Sequence, residues 1–268
     1  MRFSIAIASA SIVALIVSEM ALSQDVTQQI GMNGSVDFTQ RSITATGIGM
    51  PGGMGGRGGQ IRAAKLDALR NLLEVINGIA LSSSTTVENQ MIANDVVKTR
   101  VEGIAQMYRV VGEPRYYDDG SIEVTIEMSL DGPFLEVVLP EKMGGGQPIS
   151  SAVSGVVYTG LIVDASGLGA RPALAPRILN EDGSEVYGSS YVSRDWAIKY
   201  GMVGYAKEIS SALANDRVTD RPLVARGLRT EGSNHADIVI SNTDAQALHG
   251  MKDNLSFLEK CRVIIVLD

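Results

Sequence analysis

The sequence predicts an α+β protein of two small mixed modules, each with helices packed on a largely antiparallel sheet. Three observations carry that expectation. Segments with the two-residue alternation of strands interleave with segments whose apolar residues recur at helical spacing. A glycine-rich, proline-flanked stretch, Pro140 to Ser151 (PEKMGGGQPISS), breaks this pattern into two halves. The chain has 268 residues, 45% of them hydrophobic, enough for one large core or two small ones. The expected boundaries are a leader at 1–23, a loose segment at 24–36, a first domain at 37–139, a linker at 140–151 and a second domain at 152–268.

Arg2, the apolar run from Phe3 to Val17 and the small residues Ala21 and Ser23 have the form of a secretory signal peptide. Glu19 is unusual so near a cleavage site and leaves an uncleaved anchor as the alternative. The run is short for a transmembrane helix, and no later segment is long and apolar enough to be one. Residues 24–36 are polar and read as loose. Ser42 to Gly47 alternates β-branched and small residues and predicts a strand. The Gly- and Met-rich tract from Gly49 to Gly59, with Pro51 inside it, predicts neither helix nor strand.

A helix is expected from Gln60, with Ile61, Ala64, Ala68, Leu69, Leu72, Leu73 and Ile76 on one face. Asn77-Gly78 ends it. Ile79 to Val87 reads as a strand. Asn89 is a candidate cap for a second helix carrying Ile92, Val96 and Ile104. Tyr108 and Val110, then Ile122, Val124, Ile126 and Met128, flank Asp118-Asp119-Gly120 and predict a β-hairpin with one buried face. Beyond the linker, Gly155 to Ala165 reads as a strand. Arg177 to Leu179 and Glu185 to Tyr187 flank Asn180-Glu181-Asp182-Gly183 as a second hairpin. Ser193 caps a predicted helix through Trp196, Ile198, Val203 and Ile209. Leu223 to Leu228 and Asp237 to Ile240 are expected strands, and a broken helix is expected from Asn242 to Leu258. Val263 to Leu267 is so apolar that it belongs inside a sheet.

Composition narrows the function. The net charge of -7 argues against nucleic-acid binding, which needs a basic face to offset phosphates. Cys261 is the only cysteine, so an intramolecular disulfide is excluded; beside the apolar C-terminal run it is expected to be buried.

Several runs resemble one family of envelope proteins. They are Gly59-Gln60 through Leu69-Arg70-Asn71-Leu72-Leu73-Glu74, Thr86-Val87-Glu88-Asn89, Thr99-Arg100-Val101-Glu102-Gly103, and the hairpin Asp119-Gly120-Ser121-Ile122-Glu123-Val124-Thr125. That family contains small outer-membrane lipoproteins and the N-terminal domain of flagellar assembly protein T. The resemblance covers about residues 40–135. Tyr158 to Ala165 and Pro176 to Leu179 look like the segment that often follows this domain. The resemblance implies an exported, non-enzymatic protein of the envelope, associated with the outer membrane or the flagellar basal body. It implies other envelope proteins as partners, flagellar ring components among them, or a second copy of the chain. The lipoproteins are anchored through a cysteine after the leader. This chain has none, so anchoring does not carry over.

No constellation predicts a catalytic residue, a cofactor or a metal ion. Gly47-Ile48-Gly49-Met50-Pro51-Gly52 fits G-x-G-x-x-G, but Gly53 to Gly59 separate it from the helix, so it reads as a surface loop. With Met50 and Met54, the loop at 49–59 is also a candidate contact segment. His235 and His249 have no second ligand at metal spacing and are expected in solvent. Ser233, His249 and Asp244 lack the elbow motif of a hydrolase. Asp164, Asp195, Asp237 and Asp244 are expected to cap helices or close turns. The alternative function is a periplasmic small-ligand binder or hydrolase with its site at Asp164 and the Gly167–Gly169 loop.

Overall fold

The computed structural model describes residues 25–52, 55–148 and 156–268. The leader expected at 1–23 lies outside the described residues. The first half contains the strands β1 (Thr27–Gln29), β2 (Gly34–Asp37), β3 (Ser42–Gly49), β4 (Arg109–Tyr116) and β5 (Ile122–Ser129). Its helices are α1 (Gly56–Gly78), α2 (Val87–Ala93), α3 (Asp95–Ala105) and α4 (Pro133–Val138). The strands form one antiparallel sheet in the order β1-β2-β3-β5-β4. Period two in the sequence becomes two faces here. Ile43 and Ala45 of β3 and Ile122, Val124, Ile126 and Met128 of β5 are buried, under the Ala64, Ala68, Leu72, Val75 and Ile76 stripe of α1.

Two glycines set how closely that helix approaches. A Cβ at Gly47 would lie 2.0 Å from the Ala68 nitrogen, and one at Gly49 would lie 2.1 Å from the Gln60 carbonyl oxygen. The glycines of the G-x-G run are therefore spent on helix-to-strand packing inside β3. Gly52, at φ +90°, turns the chain afterwards.

The second half contains β6 (Gly160–Asp164), β7 (Ile178–Leu179), β8 (Glu185–Tyr187), α5 (Arg194–Tyr200), β9 (Gly204–Ala206), α6 (Ile209–Leu213), β10 (Pro222–Glu231), β11 (Asp237–Ile240), α7 (Asn242–His249), α8 (Lys252–Glu259) and β12 (Val263–Val266). Its sheet runs β8-β7-β11-β10-β6-β12-β9. The α+β class holds in both halves. The pairing differs in the second, where the sheet is mixed: β10-β6, β6-β12, β12-β9 and β7-β11 are parallel. β12 lies between β6 and β9 and is buried along its length, as its run of Val and Ile predicts.

Several expectations are corrected. Residues 27–37 are not loose, since β1 and β2 extend the first sheet. The helix expected from Gln60 starts at Gly56. Ile79 to Val87 is a turn with one bridge, Ala80 to Thr86, because Ser82 to Thr85 fold it back before a ladder can form. The second helix is two helices. Thr86 caps α2 through the Asn89 nitrogen, and Asn94 caps α3 through the nitrogens of Val96 and Val97. Val110 is exposed on the edge strand β4. The helix from Ser193 stops at Gly201, whose φ of +72° ends α5 ahead of β9. The expected linker pairs with the second half, its Gly144 and Gly146 nitrogens donating to the Ser189 and Ser190 carbonyls. Residues 149–155 of the expected linker and strand lie outside the described residues.

The halves share one core. Phe38 packs edge-on against Tyr205 at 5.6 Å, and the nitrogens of Leu174 and Ala175 donate to the carbonyls of Ala80 and Leu81. Among the described residues no helix is long and apolar enough to cross a membrane.

Candidate functional site

The site expected at Asp164 lies at the carboxyl end of β6, where parallel strands ordinarily present ligand-binding loops. Its geometry is closed. Asp164 Oδ1 accepts from the Ser166 nitrogen at 3.1 Å, which makes the carboxylate a turn-former. The Gly167 nitrogen donates to both carboxylate oxygens of Asp268, at 2.8 and 2.9 Å. The position an anion would take over this loop is thus held by the chain's own acid. Gly167 and Gly169 have φ values of +78° and +63°, which the turn requires of glycine.

Two of the other named acids, Asp237 and Asp244, also have structural partners. Asp237, buried at the start of β11, accepts from the Arg177 nitrogen at 2.9 Å, from Arg177 Nε at 2.8 Å and from Ser83 Oγ at 2.6 Å. It ties the turn after α1 to the second sheet. Asp244 Oδ2 accepts from Ser241 Oγ at 2.8 Å while the Asp244 nitrogen donates back to that hydroxyl at 3.0 Å, a cap on α7. Asp195 is exposed in the first turn of α5.

The histidines divide. His235 is exposed in the turn before β11, as expected. His249 is not in solvent. It is buried on α7, its ring edge-on to Tyr191 at 4.9 Å and its Nε2 2.8 Å from the Val186 carbonyl oxygen. Burial lowers its pKa, against the opposing pull of that carbonyl. The sequence signal missed here is that His249 follows Leu248 and Ala245 on the apolar face of α7. Ser233 donates to the Ser83 carbonyl at 3.3 Å, and Asp244 is held in its cap, so Ser233, His249 and Asp244 have separate structural duties. Cys261 is buried as expected; burial raises its thiol pKa to about 11 despite the nearby Arg217 guanidinium. Among the described residues no group of three or more His, Cys, Asp or Glu could hold a metal ion.

Four exposed apolar or aromatic side chains, Ile48, Met50, Tyr116 and Tyr117, lie at one end of the first sheet. The register places Ile48 opposite Glu123, Glu123 opposite Arg115, and Gly49 opposite Ile122, itself opposite Tyr116. Ile48 therefore shares the outer face with Glu123 and Arg115, while Tyr116, in the row of Gly49 and Ile122, lies on the α1 face; Met50 and Tyr117 follow the ends of β3 and β4, and Met50 is 65% and Tyr116 56% exposed. Gln60 Nε2 donates to the Gly120 carbonyl at 3.0 Å, and the Arg57 guanidinium stands 5.0 Å from the centre of the Tyr116 ring. Pro51 and Gln60 thus meet the β4-β5 turn at Gly120. Sequence reasoning singled out the loop; it did not find the tyrosines that complete the surface, because only the three-strand register brings them to it.

Residues 160–268 match the family model described as Treponema pallidum Tp0624, second domain. The match begins on β6 and covers the whole seven-stranded sheet. No curated protein matches the chain.

Proposed function

We propose that this chain is a non-catalytic structural or assembly protein of the bacterial cell envelope, exported to the periplasm, that binds another envelope protein through the glycine-loop end of its first sheet. The exposed side chains at that end carry the reading, Ile48 from the outer face of the sheet, Tyr116 from the α1 face, and Met50 and Tyr117 beyond the strand ends. Tyrosine, methionine and arginine are the residues that protein interfaces enrich, and an apolar patch rimmed by charge is costly to leave in water without a partner. Arg57, Arg115, Asp118 and Glu123 supply that rim. The leader-like N-terminus and the resemblance to envelope assembly domains support the compartment and the role. Asp164, Asp237, Asp244 and His249 are engaged in a turn, the contact between halves, a cap and a contact with the Val186 carbonyl, and Asp195 and His235 lie apart at exposed positions. That weakens the alternative of a small-ligand site at Asp164 and Gly167–Gly169.

The test is site-specific photo-crosslinking in cells. A benzoylphenylalanine at Tyr116 is expected to give one adduct of defined mass with an envelope protein, and Met50→Asp is expected to reduce it. A ring component in that adduct would make the role flagellar. If Tyr116 gives no adduct beyond that of a probe at exposed Glu181, the interface reading is wrong.

A further inference from the structure

A cleft of about 460 Å3 in the second half takes no part in the contacts described above. Its walls are Trp196 and Tyr200 of α5, Asn215 and Asp216 of the turn after α6, and Lys260 and Arg262 on either side of Cys261. Trp196 is the chain's only tryptophan. It is 38% exposed, with its ring stacked on Tyr200 at 5.1 Å and an interplanar angle of 22°. The Lys199 ammonium stands 5.1 Å from the centre of the Tyr200 ring. Tyr200 thus contacts both a ring and a cation, and it backs the indole as an apolar wall of the cleft.

The polar groups around that wall are set for a ligand with both hydroxyls and negative charge. Among the described residues neither Lys260 nor Arg262 is ion-paired. Arg217 lines the same cleft and donates to the carbonyls of Tyr200, Gly201 and Cys261. Three cations thus face one carboxylate, Asp216, in a chain whose net charge is -7. Asn215 Oδ1 accepts from the Arg217 nitrogen at 2.9 Å, which leaves its amide N–H2 as the donor for a ligand. A sugar ring lays its C–H face on an indole, gives its hydroxyls to Asn215 and Asp216, and brings a carboxylate to Lys260 and Arg262. A flat aromatic acid would leave Asn215 and Asp216 unmatched, and a peptide of acidic side chains alone has no rigid face for Trp196.

The geometry points to this cleft as a binding site for an acidic saccharide, a sugar ring carrying a carboxylate. It lies in the other half of the chain from the proposed protein interface and stands or falls separately from it. The single tryptophan makes the test direct. Titration of the full chain with trigalacturonic acid is expected to shift Trp196 emission saturably. The affinity is expected to fall roughly tenfold, about 1.4 kcal/mol, in Lys260→Ala/Arg262→Ala. Raising salt from about 0.05 to about 0.5 M is expected to weaken it as well. Trp196→Ala, followed by calorimetry, is expected to lose binding while keeping the circular dichroism of the folded chain at room temperature. Lys260→Gln alone, a change at an exposed side chain, gives the charge effect should the double variant fold poorly. The inference is overturned if emission does not saturate by about 10 mM, a weak-binding ceiling. It is equally overturned if maltotriose binds as well as trigalacturonic acid, or if tetraglutamate binds more tightly than either.

Discussion

Single residues in this chain test how tightly its parts fit. At Gly47 a methyl group would meet the backbone of α1, which cannot rotate aside as a side chain would. Gly47→Ala is therefore expected to cost about 3 kcal/mol or more. Gly103, exposed in the last turn of α3, has open space where its Cβ would lie. There the same change is expected to stabilise by about 0.5–1 kcal/mol through helix propensity and a restricted unfolded chain. Urea denaturation of the two variants checks both signs, and equal effects would mean that α1 does not approach β3 as described. His249 supplies a pH dependence. Burial holds its folded pKa below the ordinary 6.5, so the unfolded chain takes up the proton first as the medium is acidified. Its contribution to stability is complete above 6.5 and is lost as pH falls through the lowered folded pKa. The slope of melting temperature against pH on the acid side of 7 should be shallower in His249→Gln than in the parent. Cys261, with its pKa near 11 and no exposure, should react with a thiol reagent only on unfolding.

At the scale of elements, Asp237 shows how a buried charge joins two parts of the chain. Its main partner, Arg177, keeps 46% of its side chain exposed while Asp237 keeps none. The two deletions are therefore unequal. Asp237→Asn leaves an arginine that turns to water, whereas Arg177→Met leaves a buried carboxylate with only the Ser83 hydroxyl and one backbone N–H. Arg177→Met is expected to cost about 3 kcal/mol and to exceed Asp237→Asn. Thermal melts of the pair decide it, and the reverse order would show Asp237 to be more hydrated than its surroundings indicate. Elements with a long period were legible in the sequence: α1 from its apolar stripe, β5 from its strict alternation, β12 from its unbroken Val-Ile run. Short elements were not. β1 and β9, three residues each, carry no period at all and exist because neighbouring strands supply their hydrogen bonds. Ile79 to Val87 has strand composition, but its serines close a turn that puts Ser83 against Asp237. The candidate surfaces were half legible for the same reason. Met50 and the glycines stand next to one another in the chain, while Tyr116, Trp196 and Lys260 reach their places through register and packing.

The whole molecule behaves as more than two modules on a string. Phe38, 4% exposed in the first half, sits against Tyr205 beside β12, and the expected linker is hydrogen-bonded to the second half on its way across. Residues of both halves join one continuous apolar cluster. Cutting such a cluster would expose apolar surface on each side, at roughly 25 cal/mol for every Å2 uncovered. Neither half should therefore unfold without the other, and one cooperative transition is expected although the chain has two sheets. Trp196 reports on the second half alone, and far-ultraviolet circular dichroism reports on both. Their urea transitions should coincide. Phe38→Ala, which removes a ring only from the first half, is expected to cost about 3–5 kcal/mol and to move the Trp196 transition by the same amount as the dichroism transition. An unmoved Trp196 transition in that variant would make the halves independent. Each candidate surface would then belong to a module able to turn relative to the other, whereas coupled transitions mean that a partner on the glycine loop and a saccharide at Trp196 meet one rigid body.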